Sequence, residues 1–169
     1  RPLLGVGNTM VLAGGWFFQN AVKYVDQTAR STSVYFSGNE SERVFKRRSD
    51  DSIIVQTTAG QLDAHHDYFT IQMAVEPASG TLLVIVYGCG SSGTSAAGNY
   101  LVNHVANGAK KPASSYVVEW TGTNGNRQAD RGDAETIIGP DGSTRGTTGA
   151  TAGTRTRARR PHCGPHRSR

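Results

Sequence analysis

The sequence predicts an α/β layered domain with a mixed sheet, followed by a disordered basic tail. Three observations carry this. Strand, glycine turn and helix patterns occur in that order twice. A Pro77-Ala78-Ser79-Gly80 turn joins two strand patterns into a β-hairpin. The last thirty residues hold no Val, Ile, Leu, Met, Phe, Tyr or Trp. Strands alternating with helices argue for helices layered on a sheet. A chain of 169 residues can bury a core without help from a metal or disulfide.

The first unit is TMVLAGGWFFQNAVKYV. An apolar strand at 10–13 meets the Gly14-Gly15 turn. Phe17, Ala21 and Tyr24, with Phe18 and Val22, then recur at three- and four-residue spacing, which predicts a buried helix face. Short strands are expected at 33–36 and 53–55. The segment DYFTIQMAVE at 67–76 alternates apolar and polar residues and predicts a half-buried strand. The turn at 77–80 makes it the antiparallel partner of the strand at 82–87. That strand opens the second unit, whose glycine-rich turn leads to a helix over 94–105. Further strands are expected at 116–120 and 134–138, with a polar loop between them.

The charge divides the chain. Residues 1–139 carry 11 Lys+Arg and 12 Asp+Glu, whereas 140–169 carry 7 Arg and one acid, Asp141. The net charge of +5 therefore belongs to the tail, and the domain is read as 1–139. A stretch so poor in apolar side chains cannot offset the entropy of ordering it. Its composition is of the kind an out-of-frame reading of a GC-rich gene yields, or a linker. A nucleic-acid-binding arm is the lesser reading, because no aromatic residues are interleaved for base stacking. His162, Cys163 and His166 are packed too closely to suggest a metal set. No apolar run reaches the length of a membrane span. The chain starts at Arg1 with no signal-peptide pattern, so it is read as a processed product or a fragment.

Several motifs bear on chemistry. Gly88-Cys89-Gly90-Ser91-Ser92-Gly93 satisfies G-x-G-x-x-G between a strand and a helix, a pattern that lets a phosphate approach a helix N-terminus. A nucleotide- or phosphate-binding enzyme using this turn is the alternative function. Against it, no acid for a ribose follows about 20 residues on; the next is Glu119. The expected role is a tight strand-to-helix turn. Cys89 with His65 or His66 as base, or Ser92 or Ser95, would be the nucleophile candidates. A small buried cysteine and an exposed pre-strand histidine loop are the plainer expectations. Asn39-Glu40-Ser41 is a glycosylation triplet, and Arg131-Gly132-Asp133 is an integrin-type tripeptide; both occur readily by chance.

The loop from Gly122 to Asp133 carries the metal expectation. Asn124, Asn126, Asp130 and Asp133 place side-chain oxygens, and Gln128 a carbonyl, at spacings that wrap a hard cation such as calcium. Gly122 stands where the first acid belongs and Arg127 where a calcium loop has glycine, so only weak binding is expected.

The order of these motifs resembles archaeal S-layer and related secreted surface proteins. The likeness covers residues 8–139: the glycine turn before Asn20, the Gly93-Thr94-Ser95-Ala96-Ala97 helix start, and the run from Trp120 to Asp133. It departs from the family's pattern in the Trp16 that follows the glycine pair and in Gly122. The resemblance implies a secreted, non-catalytic structural component of a cell surface layer. Neighbouring copies or other surface proteins would then be its partners, and no small-molecule substrate is expected.

Overall fold

The computed structural model describes residues 8–107, 115–124, 128–130, 132–138 and 144–146. In chain order the elements are β1 (Thr9–Ala13), α1 (Asn20–Tyr24), β2 (Val34–Phe36), β3 (Glu42–Arg47), β4 (Ile53–Thr58), β5 (His66–Val75), β6 (Leu82–Gly88), α2 (Ser91–Tyr100), β7 (Ser115–Thr121), β8 (Ala134–Ile138) and β9 (Thr144–Gly146). The main sheet has the order β1-β6-β5-β7-β8-β9, and β2-β3-β4 form a second, antiparallel sheet. In the main sheet only β1 and β6 are parallel, so the sheet is mixed. The expected hairpin is β5–β6, with Val75 opposite Leu82.

Side chains alternate across a strand, and β6 uses both faces. Leu83, Ile85 and Tyr87 meet Val22, Val25, Phe36 and Phe45 on the face covered by α1 and the small sheet. Val86 faces the other way, where Phe69, Ile71 and Val118 pack under Ala96, Ala97 and Tyr100 of α2. Burying each of the larger side chains contributes about 1.5–3 kcal/mol. The two strand–turn–helix units thus lie side by side, and their helices leave to opposite faces.

Several local expectations are corrected. Phe18 lies in the turn before α1 and is 90% exposed, so it is not part of a buried helix face. The first helix is short. It widens into a π-helical turn (Val25–Ala29), which ends where Arg30 takes a left-handed φ of 51° and donates to Val25 O at 3.0 Å. The second helix starts three residues earlier than expected and becomes π-helical over Leu101–Ala106. β5 is central and mostly buried, not half-buried, because β6 and β7 flank it. Its Gln72 is fully buried and accepts a hydrogen bond from the Val34 N–H at 2.9 Å, joining the two sheets. His66 begins β5 rather than lying in a loop.

Within the stretch expected to be a tail, Thr144–Gly146 pair with β8 as β9. Backbone pairing at a sheet edge needs no apolar side chain, so composition could not reveal it. Residues 147–169, with His162, Cys163 and His166, lie outside the described residues. Among the described residues no helix is long and apolar enough to cross a membrane.

Candidate functional site

The glycine turn of the second unit is built around Asp67. This buried carboxylate accepts N–H bonds from Gly93 (2.6 Å), Tyr68 (2.7 Å) and Gly90 (3.1 and 3.2 Å). The amides at the start of α2 are thus met by an acid of the chain itself, where an external phosphate would sit. Each glycine of the motif answers to this packing. A Cβ on Gly93 would lie 2.6 Å from Tyr68 O and 2.7 Å from Asp67 Cγ, and one on Gly90 2.8 Å from Asp67 Oδ2. A Cβ on Gly88 would run into the backbone of Gly93 and Thr94. Thr94 Oγ1 locks the turn by accepting from Gly88 N–H and donating to Gly90 O. Burial pushes the Asp67 carboxyl above its ordinary value, although the amides of Gly93, Tyr68 and Gly90 pull the other way.

Cys89 is buried in the same turn. Burial and the neighbouring Asp67 charge push its thiol far above the usual range, with Arg43 opposing. This environment disfavours the thiolate that nucleophilic chemistry needs. Neither histidine is bonded to the thiol. His66 Nε2 meets Glu119 Oε1 at 2.9 Å, which also accepts from Tyr68 Oη at 3.0 Å, and its Nδ1 faces Gln61 O at 3.4 Å. Burial alone would lower the His66 pKa. The Glu119 and Gln61 bonds, with the charges of Glu119 and Asp63, outweigh it and raise the pKa above 6.5. Ser95 is exposed on α2.

The loop after β7 is drawn together by Asp133. One carboxylate oxygen accepts from the Trp120 indole N–H (3.0 Å) and the Asp130 N–H (2.7 Å). The other accepts from the N–H (3.0 Å) and hydroxyl (3.2 Å) of Thr123. Partial burial would raise this carboxyl, but these bonds together hold it below the ordinary aspartate value. Asn124 donates its side-chain amide to Asp130 Oδ2. Asn99 of α2 donates to Ala129 O at 2.7 Å, tying the loop to the helix. Of the five expected calcium ligands, Asn124, Asp130 and Asp133 are thus brought together, but by bonds among themselves and to backbone N–H groups. Gln128 is described and exposed, and Asn126 lies outside the described residues. A cation here must displace N–H donors, which fits the donor set only weakly. Among the described residues no three His, Cys, Asp or Glu side chains gather as a metal cluster.

Reasoning from sequence missed Arg43. It stands two residues before the inward-facing Phe45 on β3, so the strand period turns it toward the main sheet. Its guanidinium lies 4.3 Å over the Phe17 ring, and its Nε and Nη1 are closed to water and unbonded, as is Trp16 Nε1. The signal was an arginine at even spacing from an apolar aromatic residue, within a segment dominated by charge.

Compared with protein-family models, curated proteins and solved structures, the chain matches none of them.

Proposed function

We propose that the chain is a secreted, non-catalytic structural domain of an archaeal cell surface layer, and that it associates with neighbouring copies through the β1 edge of its main sheet. The carrying observation is that edge and the apolar strip beside it. Among the described residues β1 pairs only with β6. Leu82 N–H donates to Asn8 O and Gly14 N–H to Val86 O. The alternation of a strand therefore turns the N–H and C=O groups of Thr9, Val11 and Ala13 outward. An uncharged strand with such an edge is a template for pairing.

The face beside it adds burial. α2 covers Phe69, Ile71 and Val86, but the same face continues along the strands to Met73, Val75, Leu82, Val84 and Val11. Val11, Val75 and Leu82 are 58%, 54% and 41% exposed. A contiguous apolar strip rimmed by polar residues marks an interaction surface. The order of sequence motifs supports the surface-layer setting, and the closed environment of Cys89 and Asp67 supports a non-catalytic role. Calcium enters this proposal only as a weak ligand of the Asp133 loop.

Sedimentation over a concentration series tests the proposal. The wild-type chain is expected to assemble, and Val11→Lys to remain monomeric with an unchanged melting temperature. A wild-type chain that stays monomeric throughout, or assembly indifferent to Val11→Lys, would refute the β1 interface.

A further inference from the structure

The carboxyl ends of β1 and β6 lie side by side, since Ala13 pairs with Val86. Beyond them the chain parts, toward α1 on one face and α2 on the other. Where neighbouring parallel strands send their helices to opposite faces, a crevice opens outside the strand ends, and open α/β sheets hold ligands there. Here the crevice is a cavity of about 700 Å³, within the size range of small-molecule sites.

Its walls are chemically uneven. Trp16, Phe17 and Phe36 form a ring cluster with centroids 5.0–5.4 Å apart. Arg43 reaches the same cavity from β3, and among the described residues it is the only cation lining it. Two of its N–H-bearing nitrogens and the Trp16 indole N–H have no hydrogen-bond partner and no access to water. Buried donors are normally matched; these lie closed behind the cavity wall, so it is the charge of Arg43 as a lining residue that calls for an acceptor. Stacking on Phe17 holds the guanidinium in place without supplying one.

The surrounding charges select the acceptor. Asp67 lines the adjoining cleft together with Arg43, and Glu40 lines the cavity itself. Two of the amides that would favour a phosphate, those of Gly90 and Gly93, are already bonded to Asp67. One guanidinium against two carboxylates leaves the site short of positive charge, so each negative charge on a ligand is penalised and a monoanion is held better than a dianion. We propose that this cavity binds a small organic carboxylate, its acid group paired with Arg43 and its flat apolar body against Trp16, Phe17 and Phe36.

Calorimetric titration of the full chain with benzoate and phenylacetate tests this, with benzyl alcohol and inorganic phosphate as comparators. Ligands of this size should saturate with roughly millimolar dissociation constants. Benzyl alcohol and phosphate should each bind at least about tenfold more weakly. Arg43→Gln should remove the preference for the acid over the alcohol, Arg43→Lys should retain part of it, and Glu40→Gln should preserve or strengthen binding. The comparison of acid with alcohol on the wild-type chain stands even where a variant fails to fold. The proposal is overturned by equal binding of acid and alcohol, by tighter binding of phosphate, or by no saturation at all. It is overturned equally if a double-mutant cycle shows Glu40 and Arg43 stabilising each other as a closed ion pair.

Discussion

At Gly93 the first turn of α2 presses on the backbone of β5, and a methyl group has nowhere to go. Gly93→Ala would set its Cβ against Tyr68 O and the Asp67 carboxylate, neither of which is the flexible end of a long side chain. A loss of about 2–3 kcal/mol is expected, as for other overpacked sites. Gly98, in the same helix, has nothing within 4 Å of its Cβ position. Gly98→Ala should therefore stabilise by about 0.5–1 kcal/mol through helix propensity. Urea unfolding of both variants reads the contrast, and equal effects would contradict the packing described. His66 gives a second prediction, on pH. Its folded pKa is raised, so its contribution is fully present below the unfolded value of 6.5 and is lost as pH rises through the folded value. His66→Gln should flatten the melting-temperature profile above pH 6.5. A profile that keeps its slope would mean that the Glu119 pairing contributes nothing in solution.

The elements were legible in the sequence wherever one period dominated. β1 and β6 carry uninterrupted apolar runs, β7 one broken only by Glu119, and the turn at 77–80 announced the β5–β6 hairpin. β3 was not legible, because Glu42, Arg43, Lys46 and Arg47 surround its two buried residues, Val44 and Phe45. Missing that strand meant missing Arg43, and with it the chemistry of the crevice. The Gly88–Gly93 pattern was readable as a turn, but its centre was not. Asp67 is 21 residues upstream of Gly88, and only the β5–β6 pairing brings the two together. The loop after β7 was legible as a cluster of oxygen donors. Its organisation around the Trp120 indole was hidden, because that contact runs between a strand and the loop's far end. Asp133→Ala should cost about 1–3 kcal/mol by leaving the buried Trp120 N–H unpaired, measured as a lowered urea midpoint. Calcium at about 10 mM, with a dissociation constant near 1 mM, would add roughly 1.4 kcal/mol. The melting temperature would rise by a few degrees, and EDTA would reverse it. A melting curve indifferent to both would remove calcium and leave the Asp133 bonds as the loop's whole organisation. Gly122→Asp is a poor way to strengthen the site, since its Cβ would sit 3.2 Å from the Trp120 ring.

The whole molecule is asymmetric in what it covers. One face of the main sheet is sealed by α1 and the small sheet. Among the described residues the other is sealed by α2 over only part of its length, and nothing covers that strip or pairs with the outer edge of β1. On the proposed reading, copies joined edge to edge would continue both the hydrogen bonds and the apolar face across the junction. The most direct measurement is backbone hydrogen exchange at Thr9, Val11 and Ala13, compared between dilute monomer and assembled protein. Edge pairing predicts fast exchange of these outward amides in the monomer and strong protection on assembly, while Met10 and Leu12, turned toward β6, are protected in both. Assembly that leaves Thr9, Val11 and Ala13 exchanging at their monomer rates would place the interface elsewhere and contradict the account.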